Sequence, residues 1–380
     1  MTALEELTSV SRDITNPYVD EWKRRGKMAV GFFCSYVPEE VLYAGDILPY
    51  RVRPTGCQPP THLADTCLSH LNCTFVRSCL QFAYEGKYRF LDGFVFADTC
   101  DHIRRLHDVM RATGPFPFIR LIGVPHKSGE EAVSYYAGEI ARFKSEVEQY
   151  FGVEITEARL REAIALYNET RLLLGQLYQL RRGQSPPLTG AEALNVIIAA
   201  TSMPREQYNG LLSRLLGQLR GSQGTGKCRA RLMISGGGGC DDDSPFRVME
   251  DLGGLIVTDT LCFGSRYFMQ PPAGGDDLIM GLARSYLNRP SCARMSDKVS
   301  ERAQFTKRLI REAGVDGVVY QRMQYCDLWG GQLLHLRKVL KEGNIPLLDI
   351  EREYHWGAVG QVRTRTQAFL EMIEERRNGR

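Results

Sequence analysis

The sequence lacks the simplest signatures of several function classes. No apolar run approaches the roughly 20 residues that a membrane-crossing helix needs. The opening residues 1–26 are polar and amphipathic, with no signal-peptide core, so a cytoplasmic protein without a membrane partner is expected. Excess charge of one sign is also missing. The formal net charge is +3, which argues against a nucleic-acid binder that works by neutralising phosphates. No Cys-x-x-Cys or His-Glu-x-x-His spacing points to a compact zinc site, and no Gly-x-Ser-x-Gly marks a nucleophile elbow. The seven His are scattered, and His102 and His107 read as packing or solvent-facing residues.

A chain of 380 residues exceeds one ordinary core, so two or three domains are expected. Residues 28–34, 47–53 and 115–121 read as short apolar strands, with another inside residues 91–101, alternating with helical segments such as residues 63–82. Residues 130–219 carry helical periodicity with charges outside. From residue 228 the strand–helix alternation resumes, with strands at 231–235, 255–259 and 345–350 and another inside residues 315–327. The fold class is α/β: two parallel-sheet α/β domains joined by a helical section. The expected divisions are residues 1–127 (N-terminal helix plus first α/β domain), 128–227 (helices and a Gly-rich linker) and 228–380 (second α/β domain).

Two glycine-rich stretches bear on function. Residues 221–227 fit G-x-x-x-x-G-K, but Cys228 follows where magnesium would need Ser or Thr. A helix precedes and a strand follows, the reverse of a phosphate loop, so a flexible linker is the reading. Residues 236–239 are all Gly and stand between a strand and a helix. They are either a cradle of bare amides for an anion or a turn allowing close backbone approach. The acidic run Asp241, Asp242 and Asp243 reads as a solvated loop rather than a cation site.

Eleven cysteines are many for a reducing compartment, where structural disulfides are not expected. Taken singly, each reads as a small buried hydrophobe. Two stretches nevertheless echo each other. Residues 91–101 and 315–327 each run from Asp-Gly through an apolar strand to Cys-Asp and a helix, ending on Cys100 and Cys326. Ligands in open parallel sheets gather beyond the carboxyl ends of strands, so the two thiolates are placed to reach one cleft. Cys73 lies upstream in the same domain as Cys100. Dispersed soft thiolates suit an iron–sulfur cluster held between domains better than a zinc knuckle.

The segments GFFCSYVPEEVLYAGDILPYRV, NCTFVRSCL, YRFLDGFVFADTCDHIRRLHD, RLMISGGGG, GGLIVTDTLCFGSRYF, VDGVVYQRMQYCD and IPLLDIEREYHWGAVGQVRTRTQAFLEMI resemble, in order and spacing, the benzoyl-CoA reductase and 2-hydroxyacyl-CoA dehydratase subunit family. The resemblance covers nearly the whole chain and is nearest the smaller core subunit of ATP-dependent benzoyl-CoA reductase. It implies an inter-domain [4Fe-4S] cluster on Cys73, Cys100 and Cys326, with Cys67 and Cys79 as alternatives to Cys73 on the same segment. It also implies a homologous second core subunit, an ATP-hydrolysing iron–sulfur activator, ferredoxin as upstream donor and a CoA thioester substrate. The implied reaction is reduction of benzoyl-CoA to a cyclohexadiene-carbonyl-CoA in anaerobic aromatic degradation. A 2-hydroxyacyl-CoA dehydratase subunit and a non-catalytic electron-relay subunit are the alternatives. Ser35 takes the place of a hydroxyl residue near the substrate, with Arg51 and Arg53 in its neighbourhood where the dehydratase subunit has an acid.

Overall fold

The computed structural model describes every residue except Trp356, Ala358 and Arg380. Among the described residues, eight strands form two four-stranded parallel sheets. The first contains β1 (Ala29–Phe33), β2 (Leu48–Arg51), β3 (Gly93–Ala97) and β4 (Ile119–Ile122), in the order β2-β1-β3-β4. The second contains β5 (Ala230–Gly236), β6 (Gly254–Asp259), β7 (Gly317–Met323) and β8 (Leu347–Arg352), in the order β6-β5-β7-β8. Central strands β1 and β3 are buried along their whole length, as parallel strands covered on both faces must be. Alternate residues of β1 feed opposite sides: Val30 and Phe32 join one apolar cluster, Ala29 and Phe33 another.

The two sheets have the same strand order, so each has its switch point between its first and third strands in sequence, β1/β3 and β5/β7. Open α/β sheets bind ligands at that crevice. The second sheet's Met323, Tyr354 and Cys326 pack into the cluster that lines the first sheet. Phe75 and Tyr354 meet edge to face with centroids 5.7 Å apart, and the Thr74 hydroxyl accepts the Tyr354 N–H at 2.6 Å.

Between the sheets in sequence come the helices Glu130–Phe151, Glu157–Leu180, Gly190–Ala200 and Arg205–Leu219. The N-terminal helix Ala3–Arg12, closed by a Thr2–Glu5 capping box, lays Leu7 and Val10 against Val196 and Ile197 of this section. The helix Leu278–Leu287 is an element that the sequence reading passed over, and it packs beside Glu130–Phe151.

One correction matters for function. Residues 63–82 are not one helix. A short turn of helix, His62–Asp65, is followed by an irregular stretch, and the helix Thr74–Tyr84 begins only after Cys73. Ser69 and Asn72 cause the break. The Ser69 hydroxyl accepts the Leu71 N–H, and its carbonyl accepts both the main-chain and side-chain N–H of Asn72. The acidic run differs too: Asp241 is buried, accepting the Tyr354 hydroxyl at 3.0 Å, and Asp243 takes hydrogen bonds from Asn195 and Arg247. Residues 221–227 have no helix or strand, but they are pinned, with the Thr225 N–H on the Pro186 carbonyl.

Candidate metal centre

Four loops leave the carboxyl ends of the switch-point strands, and all four line one cavity of about 130 Å³. Cys34 follows β1, Cys100 follows β3, Gly237 to Gly239 follow β5 and Cys326 follows β7. Cys73, Cys262 and Cys292 complete a set of six thiols on the same cavity, with Phe33, Phe263, Met323 and Trp329 as its apolar wall.

Cys73, Cys100 and Cys326 share one local design. Each is the N-cap residue of a helix: Thr74–Tyr84, Asp101–Thr113 and Asp327–Glu342 respectively. None of their side chains closes a capping hydrogen bond. The first-turn N–H groups of Val76, Ile103 and Trp329 lie near the three sulfurs and favour their thiolate forms. Three helix N-termini therefore direct partial positive charge at one place, where anionic sulfur is stabilised. Burial acts the other way and is the larger influence. It pushes the Cys73 thiol up to about 12 and that of Cys326 to about 11, and it raises Cys100 well above its ordinary value. Each also feels another of the three or a further cavity cysteine as a like charge. Thiols in such a place stay protonated until a cation displaces the protons.

Cys67 and Cys79 are on the same stretch of chain but not in the cavity. Cys67 is exposed, beside Thr66 and the Tyr84 hydroxyl, and Cys79 is fully buried inside its helix. The late start of that helix is what brings Cys73 to the site. His102, read from sequence as a packing or solvent-facing residue, lines the cavity and accepts the Cys73 N–H on Nδ1 at 3.2 Å, tying the Cys73 and Cys100 segments together. Burial lowers its pKa, which favours the neutral ring this bond requires.

Cys34, Cys262 and Cys292 were not singled out from sequence. Cys34 sits in the left-handed region at φ 78°, which is strained for a residue with a Cβ and is found where function holds it. Arg266, 4% exposed, places Nη2 2.7 Å from the Cys262 sulfur and also partners Cys292. Burial opposes the Arg266 charge, but the facing thiols hold its pKa above the usual arginine range. Arg51 donates to the Cys262 carbonyl at 2.9 Å and stacks on Phe263 at 3.6 Å.

The other expected substrate contacts separate. Arg51 lines the cavity. Arg53 does not; its fully buried guanidinium holds the carbonyls of Ser11 and Asp13. The Ser35 hydroxyl turns to the Cys262 carbonyl at 3.4 Å, and its own carbonyl is gripped by Arg289. The glycine loop allows close approach at two positions. A Cβ on Gly236, whose φ is 137°, would meet the Gln321 carbonyl at 1.9 Å, and one on Gly237 would meet Trp329 Nε1 at 1.8 Å. Its carbonyls accept from side chains: Gly236 from Arg266, Gly237 from Gln321 and Gly239 from Arg352.

Among the described residues, no three His, Cys, Asp or Glu side chains group closely enough to hold a single metal ion. The thiols surround a space instead of meeting at a point. No helix of the described residues is long and apolar enough to cross a membrane.

Sequence comparison adds family identity. The chain is 29% identical to YjiM of Escherichia coli (strain K12), named as a dehydratase subunit, over 93% of this chain and 94% of that protein. It is 22% identical to a benzoyl-CoA reductase subunit of Thauera aromatica, over 93% of each chain. It is 24% identical to the beta subunit of (R)-2-hydroxyglutaryl-CoA dehydratase of Acidaminococcus fermentans, over 97% of this chain and 98% of that one. The family profile described as 2-hydroxyglutaryl-CoA dehydratase, D-component, matches residues 34–373, and the chain belongs to that family.

Proposed function

We propose that this chain is the iron–sulfur core subunit of a low-potential reductase, fed one electron at a time by an ATP-hydrolysing activator protein. The observation that carries the reading is the set of six thiols around one small apolar cavity. Soft thiolates spread around a space fit a metal–sulfur cluster better than a lone ion. Cys73, Cys100 and Cys326 would hold one [4Fe-4S] unit. Cys34, Cys262 and Cys292 would hold a second metal–sulfur unit in the same cavity. Bound there, such a centre supplies stored electrons at a potential tuned by burial and by N–H groups facing its sulfur. The chain's own part is to exclude water with Phe33, Phe263, Met323 and Trp329, and to aim three helix N-termini at the reduced centre.

The second reading is a subunit acting on benzoyl-CoA or on a 2-hydroxyacyl-CoA, with a homologous partner subunit and ferredoxin upstream. Relatives named for both activities favour it. The cavity volume weighs against placing the thioester here. About 130 Å³ is below the roughly 300–1,000 Å³ of ordinary small-molecule sites, and the second cysteine trio stands along its wall. A substrate carried by another subunit fits better.

Iron and acid-labile sulfide per chain, measured on anaerobically purified protein, test the first reading. About twice the content of one four-iron cluster is expected. Iron equal to a single cluster would remove the second trio from the reading, and no iron would remove both. Calorimetric binding of benzoyl-CoA or a 2-hydroxyacyl-CoA to the same preparation would decide for the second reading.

A further inference from the structure

Arg266 is a buried cation that no carboxylate among the described residues offsets. It lies just beyond β6, and its guanidinium sits over the Trp329 ring at 4.6 Å. Its polar contacts are the Cys262 sulfur at 2.7 Å, the Cys292 thiol and the Gly236 carbonyl at 3.4 Å, and Nε has no partner among the described residues. The buried Arg205 differs, being paired with the Glu39 carboxylate. A full positive charge left in an apolar wall is costly unless an anion faces it. The two cysteines can supply negative charge at Arg266 as thiolates, with the Tyr36 hydroxyl a further, weaker source.

We propose that Arg266 is the fixed counter-cation of the Cys34, Cys262 and Cys292 side of the centre and raises the potential at which that side accepts an electron. This rests on the reading that these cysteines hold metal. An electron delivered by a low-potential donor to a metal–sulfur group held there would add one negative charge to it. The guanidinium stands in place to offset it, so no proton has to follow the electron into the dry cavity. Fixed charge placed beforehand needs no reorganisation when the electron arrives. Arg266 is thus a positioning residue acting through charge, and Trp329 holds its plane.

The test is anaerobic redox titration with titanium(III) citrate, followed by electron paramagnetic resonance, on the full chain and on Arg266→Met, Arg266→Gln and Arg266→Lys, with iron measured on each. Arg266→Met is expected to need a more reducing potential. At a fixed potential the ratio of reduced to oxidised centre should fall by about tenfold, or about 59 mV for a one-electron couple. Arg266→Lys, which keeps the charge, should shift much less. If Arg266→Met does not assemble, Arg266→Gln against Arg266→Lys carries the comparison. Equal midpoints at equal iron, or a Lys variant shifted as far as the neutral one, would overturn the role of Arg266 while leaving the metal reading intact. Absence of iron from the unaltered chain would overturn the metal reading itself.

Discussion

Anaerobically prepared Cys73→Ala, Cys100→Ala and Cys326→Ala proteins are expected to lose the iron held by that trio, whereas Cys67→Ala and Cys79→Ala keep the full amount. Five cysteines of similar chemistry thus divide three against two, and the division follows position. The first three cap helices whose N-termini converge on the cavity. Removing one takes away a covalent anchor to the metal and leaves a helix end pointing its N–H groups at nothing in particular. Cys79 is buried in packing, so its truncation leaves a small void and should cost on the order of 1 kcal/mol. Cys67 is exposed, and its loss should barely register. Iron analysis together with the reduced-state resonance spectrum reads the outcome. Retention of iron in Cys73→Ala with its loss in Cys67→Ala would refute the assignment and restore the alternative that sequence alone left open.

That alternative shows where reading the sequence stops. Cys100 and Cys326 were legible because both follow an Asp-Gly turn and an apolar strand, and a strand's carboxyl end is where parallel sheets place their ligands. The same signal was present for Cys34 and Cys262, which follow β1 and β6, but without an Asp-Gly partner each looked like one more buried thiol. Cys292 has no such signal, since it lies beyond the helix Leu278–Leu287 and arrives through tertiary packing. Cys73 depended on a helix boundary set by Ser69 and Asn72, and the apolar periodicity of residues 63–82 hid that boundary. Arg51 and Arg53 have the same parity in sequence, but β2 ends at Arg51. Past that point alternation no longer dictates direction, and Arg53 turns to carbonyls near the N-terminal helix. The two sheets and the helical section were legible throughout because they rest on hydrophobic periodicity alone.

The largest stability effect is expected at the anchor of the Cys34 loop. Five residues past Cys34, the helix Glu39–Ala44 begins with two carboxylates that are almost wholly buried. Arg205 of the helical section donates to Glu39 at 2.9 Å, the Tyr267 hydroxyl joins both, and Arg171 pairs with Glu40, which also accepts the Tyr286 hydroxyl at 2.7 Å. Burial pushes the Glu39 carboxyl up and the adjacent Arg205 pulls it back. The Arg205 guanidinium also lies over the Tyr167 ring at 4.2 Å, so its removal loses packing as well as charge. Arg205→Met leaves Glu39 in the interior without its cation and should destabilise the protein by about 3–5 kcal/mol. Replacing both partners, as Glu39→Leu with Arg205→Met, should recover most of that, because no charge is then stranded. Urea unfolding of metal-free protein, followed by circular dichroism, measures both effects. A single Arg205→Met that costs less than about 1 kcal/mol, the range of a surface pair, would mean the network does not hold the loop. The same variants carry a functional readout. Because the helix Glu39–Ala44 follows closely on the strained Cys34 backbone, Arg205→Met should lose the iron bound by Cys34, Cys262 and Cys292 before that bound by Cys73, Cys100 and Cys326, which cap helices outside this ion-pair network.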